Sequence, residues 1–238
     1  MMRTTFASVL AIAIGGPALA QEYEIFTKRC FENGNPDQTI AACSTVIDAG
    51  RANREDLATA FKNRGNAYDD KAQYDRAIQD YDRAIEINPD DADAFNNRGT
   101  IHVATGQYDL ALQDYDQALR LKPDSAKTLN NRCFAKAIAG QLEQALADCE
   151  KSLLLRPNDP NTLASRGFAF LKLKRYEAAI ADYDAALRTD PGNAYSLFGR
   201  GVARRLRGNV SGGDADIAAA TEKKPDIADA MAKLGVRP

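Results

Sequence analysis

Ala58–Asp91 reads ATAFKNRGNAYDDKAQYDRAIQDYDRAIEINPDD, and its pattern returns after 34 residues as Ala92–Ser125. It comes again as Ala126–Asp159, as Pro160–Asn193 and, more loosely, as Ala194–Ile227. A fixed period of this length is the signature of one supersecondary unit copied and stacked.

With Ala58 as position 1, position 8 reads Gly65, Gly99, Cys133, Gly167, Gly201. Position 20 is Ala77, Ala111, Ala145, Ala179 and then Gly213; position 24 is Tyr81, Tyr115, Cys149, Tyr183, Ile217. Position 32 is always proline: Pro89, Pro123, Pro157, Pro191, Pro225. Each unit holds two runs whose apolar residues recur at spacings of three and four, the mark of amphipathic helix. Gly106-Gln107 and Gly140-Gln141 separate the two runs, and the X-Pro step ends the second. One such pair cannot bury its apolar face alone, so pairs must stack on neighbours.

These positions resemble the tetratricopeptide repeat (TPR) family, whose Gly, Tyr, Ala and Pro landmarks they match over Ala58–Ile227. The resemblance implies an all-α fold, a right-handed superhelical solenoid of antiparallel helix hairpins. Five units are expected at 58–91, 92–125, 126–159, 160–193 and 194–227. Residues 21–57 are expected to form a degenerate first hairpin and a linker, with Asn33–Pro36 as its turn and Arg51–Leu57 as the link. Residues 228–238 are expected to form a capping helix over the last exposed face.

The first twenty residues differ from the rest. Arg3 gives a positive start, Phe6–Ile14 an apolar run, and Ala18-Leu19-Ala20 a small-residue cleavage site before Gln21. That is the pattern of a secretory signal peptide. The mature chain is expected to be exported, to the periplasm if the source is a Gram-negative bacterium, with no membrane span. A formal net charge of −2 carries no bulk attraction to nucleic acid.

The register sets two pairings. Position 7 is Arg64, Arg98, Arg132, Arg166, Arg200, and position 23 is Asp80, Asp114, Asp148, Asp182, Asp216. In antiparallel helices these positions face each other much as 8 and 24 do, which predicts a structural Arg–Asp ladder. The same geometry joins Cys133 to Cys149, and Cys30 to Cys43 if the first unit is three residues shorter between its helices. Buried free thiols are the alternative, and export favours disulfides.

Catalytic machinery is not visible. The single histidine, His102, takes a slot held by Tyr68 or Phe170 elsewhere, and Cys-x-x-Cys, Walker and Gly-x-Ser-x-Gly patterns are missing. The expectation is a non-enzyme with no metal and no cofactor.

The TPR resemblance further implies that the first helices line a concave surface. Its apolar part is expected at Phe134, Ala137 and Ile138, then Phe168 and Leu171, then Tyr195, Phe198, Val202 and Leu206. Phe198 and Val202 sit where the cap can cover them; Phe134 and Phe168 do not. Co-chaperone TPR domains hold a terminal carboxylate through positions that here carry Lys62, Asn66, Asn97, Lys127 and Asn131, the last replacing an arginine. Asn63, Asn97 and Asn131 are similar to the asparagine ladder with which some TPR superhelices hold peptide backbone. The implied function is a scaffold whose groove holds a protein or peptide partner, with Phe134, Ile138, Phe168 and Leu171 as apolar anchors. The alternative is a structural protein that self-associates through its TPR surfaces in the cell envelope.

Overall fold

The computed structural model describes residues 16–32 and 34–238, which fall into two compact units. One ends at Pro89; the other runs Asp90–Pro238. Thirteen helices and no strands occur among the described residues. Most of the expected signal peptide lies outside them.

The first unit contains α1 (Gly16–Phe31), α2 (Pro36–Asp48), α3 (Arg54–Asp70) and α4 (Tyr74–Ile87). A disulfide between Cys30 and Cys43 ties α1 to α2. Asn35 caps α2 by accepting from the Asp37 amide, and Pro36 takes the first helical position, where its missing N–H costs nothing. The expected linker 51–57 is shorter than it reads, because Arg54–Leu57 forms the first turn of α3. Asn53 caps that turn, and Glu55 and Asp56 favour the positive end of the helix dipole.

The second unit begins with α5 (Ala92–Ala104), α6 (Tyr108–Leu121), α7 (Ala126–Ile138) and α8 (Leu142–Leu155). It continues with α9 (Pro160–Lys172), α10 (Tyr176–Thr189), α11 (Ala194–Leu206) and α12 (Val210–Lys223), then the short α13 (Ile227–Lys233). Four antiparallel hairpins thus stack in chain order, with α13 against the last. Position 34 supplies the N-cap each time: Asp91, Ser125, Asp159 and Asn193 accept from amides of the first turn. Gly106 and Gly140, at φ of 77° and 82°, end first helices in a left-handed residue. There Gln107 N–H donates to His102 O and Gly106 N–H to Val103 O, the Schellman arrangement.

Two contacts recur between the paired helices. The Tyr115 ring is buried across Gly99, where an added Cβ would stand 2.9 Å from it; Tyr183 lies likewise over Gly167. Beside this, each arginine forks onto the aspartate 16 residues on. Arg64 Nε and Nη2 donate to Asp80 at 2.8 Å, and Arg132 reaches Asp148 at 2.8 and 2.6 Å. Arg98–Asp114, Arg166–Asp182 and Arg200–Asp216 repeat the geometry. The free edge of the guanidinium reaches the preceding hairpin, Arg132 to Asp116 and Arg200 to Asp184, each at 2.7 Å. Position 11 joins in: Lys136 donates to Asp148 at 2.8 Å, Arg204 to Asp216 at 2.9 Å, and His102 Nε2 lies 3.7 Å from Asp114. The network links helices within and between hairpins, and its position-23 aspartates are almost wholly buried.

Candidate functional site

On α7, Lys127, Asn131, Phe134 and Ile138 are spaced to share one face of the helix. That face forms one wall of a groove of about 880 Å³ in the second unit. Ser165 and Phe168 come from α9, Tyr195 and Ser196 from the start of α11, and Met231, Lys233 and Leu234 from α13 and its end. The volume lies within the roughly 300–1,000 Å³ of sites that bury small ligands.

The floor is apolar. The Phe134 and Phe168 rings meet with centroids 5.6 Å apart, and the Lys172 ammonium stands 5.4 Å over Phe168. That ammonium donates to Ile138 O at 3.3 Å and Leu234 O at 3.5 Å, tying the C-terminal segment to the end of α7. Burial lowers its pKa. Below the floor, Tyr183 reaches towards α11, its hydroxyl 2.5 Å from where a Gly199 Cβ would lie. Complete burial, with the Asp182 charge adding to it, pushes its phenol far above the usual tyrosine value.

Polar groups line the walls. Asn131 Nδ2 donates to Asn96 Oδ1 at 3.1 Å and to Thr100 Oγ1 at 3.4 Å. Lys127 Nζ donates to Asn97 Oδ1 at 3.2 Å. Two lining residues each bury an atom with no hydrogen-bond partner, Asn130 Oδ1 and Ser196 Oγ. Buried polar atoms without partners are rare in folded proteins, and each costs roughly 1–3 kcal/mol.

The groove brings together Lys127, Asn131, Phe134, Ile138 and Phe168. Leu171 is a correction: it is buried in the core between hairpins and does not line the groove. Ala137 is buried too, and Phe168, expected as an exposed anchor, is only 4% accessible because Phe134 and Lys172 pack on it. Phe198 and Val202 pack in the same core as Ile227 and Met231 of α13. Asn97 is bonded to its neighbours and does not line the groove. In the first unit, Asn63 Nδ2 donates to Cys30 O at 3.0 Å, and Asn66 Oδ1 accepts from the Tyr81 hydroxyl at 2.6 Å. Lys62, on the same helix, is half-buried. Groove residues that escaped the sequence reading include Asn130, Arg156, Ser196 and Lys233. Asn130 carried a signal, since it shares position 5 with Lys62 and Asn96. Arg156 holds position 31, the helix end before the repeated proline, where the other units carry Asn88, Lys122, Asp190 and Lys224, so the repeat fixes its place but not its type; Lys233 lies outside the repeat.

No helix among the described residues is long and apolar enough to cross a membrane, and no group of side chains there is arranged to hold a metal ion.

Known proteins place this architecture. The chain is similar to a TPR protein from Parabacteroides merdae at TM-score 0.71 and 16% identity, covering 90% of this chain and 88% of that one. It is similar to PilW, a type IV pilus biogenesis factor, at 0.65 and 19%, over 76% and 88% of the two chains. It is also similar to YrrB, a TPR protein with an unusual peptide-binding site, at 0.57 and 22%, over 82% and 98%. No curated protein matches the sequence. A TPR repeat model matches residues 65–106, and a tetratricopeptide repeat model matches 92–125 and 160–193, in phase with the helices described above. With helices, turns and landmark residues all in that phase, residues 65–125 and 160–193 are tetratricopeptide repeats in a chain with the TPR fold.

Proposed function

We propose that this protein is an exported, non-catalytic scaffold that holds a protein or peptide segment in the groove between α7, α9, α11 and α13. The observation that carries the reading is the groove itself, where an apolar floor at Phe134, Ile138 and Phe168 adjoins the unpartnered buried Asn130 Oδ1 and Ser196 Oγ. A peptide supplies apolar side chains for that floor and backbone donors and acceptors for the polar walls at Lys127 and Asn131. YrrB, similar in fold, is itself described with a peptide-binding site. Export is supported by the leader-like start and by two disulfides with no free cysteine, a state that persists outside the cytosol.

A photo-crosslinking residue placed at Tyr195, in the groove, tests this against one at Leu154, which is 82% exposed and does not line it. In the native host, adducts are expected from position 195, not from 154, and should disappear when Phe134→Asp is added. Equal labelling from both positions sinks the proposal.

A further inference from the structure

The groove carries a charge opposite to that of the chain as a whole. Lys127, Arg156 and Lys233 line it, whereas the whole protein has a formal charge of −2. Among the described residues its one carboxylate is Asp159, already occupied as the α9 cap: its Oδ2 accepts from the Thr162 amide at 2.8 Å and the Thr162 hydroxyl at 2.7 Å. No carboxylate lies within salt-bridge distance of Lys127, Arg156 or Lys233 among the described residues, although the Lys233 charge is felt by Asp226, and all three residues are exposed. The arginines of the ladder in the second unit differ: Arg98, Arg132, Arg166, Arg200 and Arg204 each have an aspartate.

We propose that the groove selects an acidic segment of another protein, with Asp or Glu side chains alternating with apolar ones. This rests on the groove being a peptide site. The three cations stand on α7, on the turn after α8 and on α13, so they line separate walls. Carboxylates spread along a segment match that distribution, whereas one terminal carboxylate meets at most one wall. Apolar side chains settle on Phe134, Ile138 and Tyr195. The rim charges act mainly as steering and selection, because an exposed ion pair contributes little on its own.

The test uses end-capped, fluorescein-labelled decapeptides read by anisotropy: alternating Glu/Leu, Lys/Leu and Ser/Leu, plus Ser/Leu with a free C-terminal carboxylate. The Glu/Leu peptide is expected to bind tightest and to weaken as salt rises. Arg156→Ala and Lys233→Ala should each weaken it about two- to fivefold. Tyr195→Ala, at an exposed site that leaves the fold intact, should weaken every peptide that uses the groove. If Ser/Leu or Lys/Leu binds as tightly and remains sensitive to Tyr195→Ala, acidic selection is overturned while the groove stands. Equal binding by the free-carboxylate Ser/Leu peptide overturns it in favour of terminal recognition. If no peptide responds to Tyr195→Ala, both this inference and the groove reading fail.

Discussion

Cys133 and Cys149 are bonded in the place where neighbouring hairpins set Gly99 against Tyr115 and Gly167 against Tyr183. The disulfide replaces an aromatic wedge by a covalent staple at the same register, 16 residues apart. Closing a loop of that length stabilises by about 3 kcal/mol in the chain-entropy account. Cys133→Ala with Cys149→Ala is therefore expected to lose about that much in urea unfolding. Cys133→Gly with Cys149→Tyr restores the pairing of the neighbours and is expected to recover a substantial part. If the Gly/Tyr protein is less stable than the double alanine, the two arrangements are not equivalent.

Gly199 presents the closest approach of backbone to a buried ring. A Cβ there meets the Tyr183 Cζ and hydroxyl at 2.5 Å, and the ring is sealed between α9, α10 and α11. Gly199→Ala is expected to cost about 1–3 kcal/mol through overpacking. Gly106→Ala makes a useful contrast, because nothing lies within 4 Å of its Cβ and only φ of +77° opposes it. Its cost should be about 1–2 kcal/mol, all from the left-handed backbone. Adding Tyr183→Ala should reduce the cost at Gly199 and leave that at Gly106 unchanged, as a double-mutant cycle will show.

The repeat made much of this legible in advance. A period of 34 puts the same residue types at the same helix positions, so hairpin limits and the facing of Arg132 and Asp148 follow from counting. Burial at Phe168 and Leu171 did not follow, because it depends on the neighbouring hairpin and on Lys172. The Lys172–Leu234 contact spans 62 residues and involves a segment outside the period, so no local pattern announces it. The unpartnered atoms of Asn130 and Ser196 are invisible in sequence for another reason: a missing partner is a property of packing, not of residue type.

Asp148 accepts from Arg132 at 2.6 and 2.8 Å and from Lys136 at 2.8 Å, with only 9% of its side chain accessible. Removing it leaves two cations at a nearly closed site. Asp148→Ala is expected to cost about 2–4 kcal/mol, somewhat below a fully buried pair because Arg132 keeps Asp116. Glu143→Ala, which breaks an exposed pair with Arg175, should stay within about 0.5 kcal/mol. Comparable losses at both sites would show that burial does not set the strength of the ladder.

Tyr115 gives the protein an alkaline limit. Burial pushes its phenol up to about 12, against a lowering from its hydrogen bond to Thr100. In the unfolded chain the same group loses its proton near 10. Between those values the folded state holds a proton that the unfolded state has released, so stability falls as pH rises. Two pH units correspond to a loss of roughly 2–3 kcal/mol, complete by about pH 12 and absent below about pH 9. Tyr183, displaced in the same direction, adds to the slope. Urea midpoints measured at pH 9, 10 and 11 should fall progressively, and less steeply in Tyr115→Phe. An unchanged slope in that variant would mean that Tyr115 ionises in the folded protein as readily as in the unfolded one.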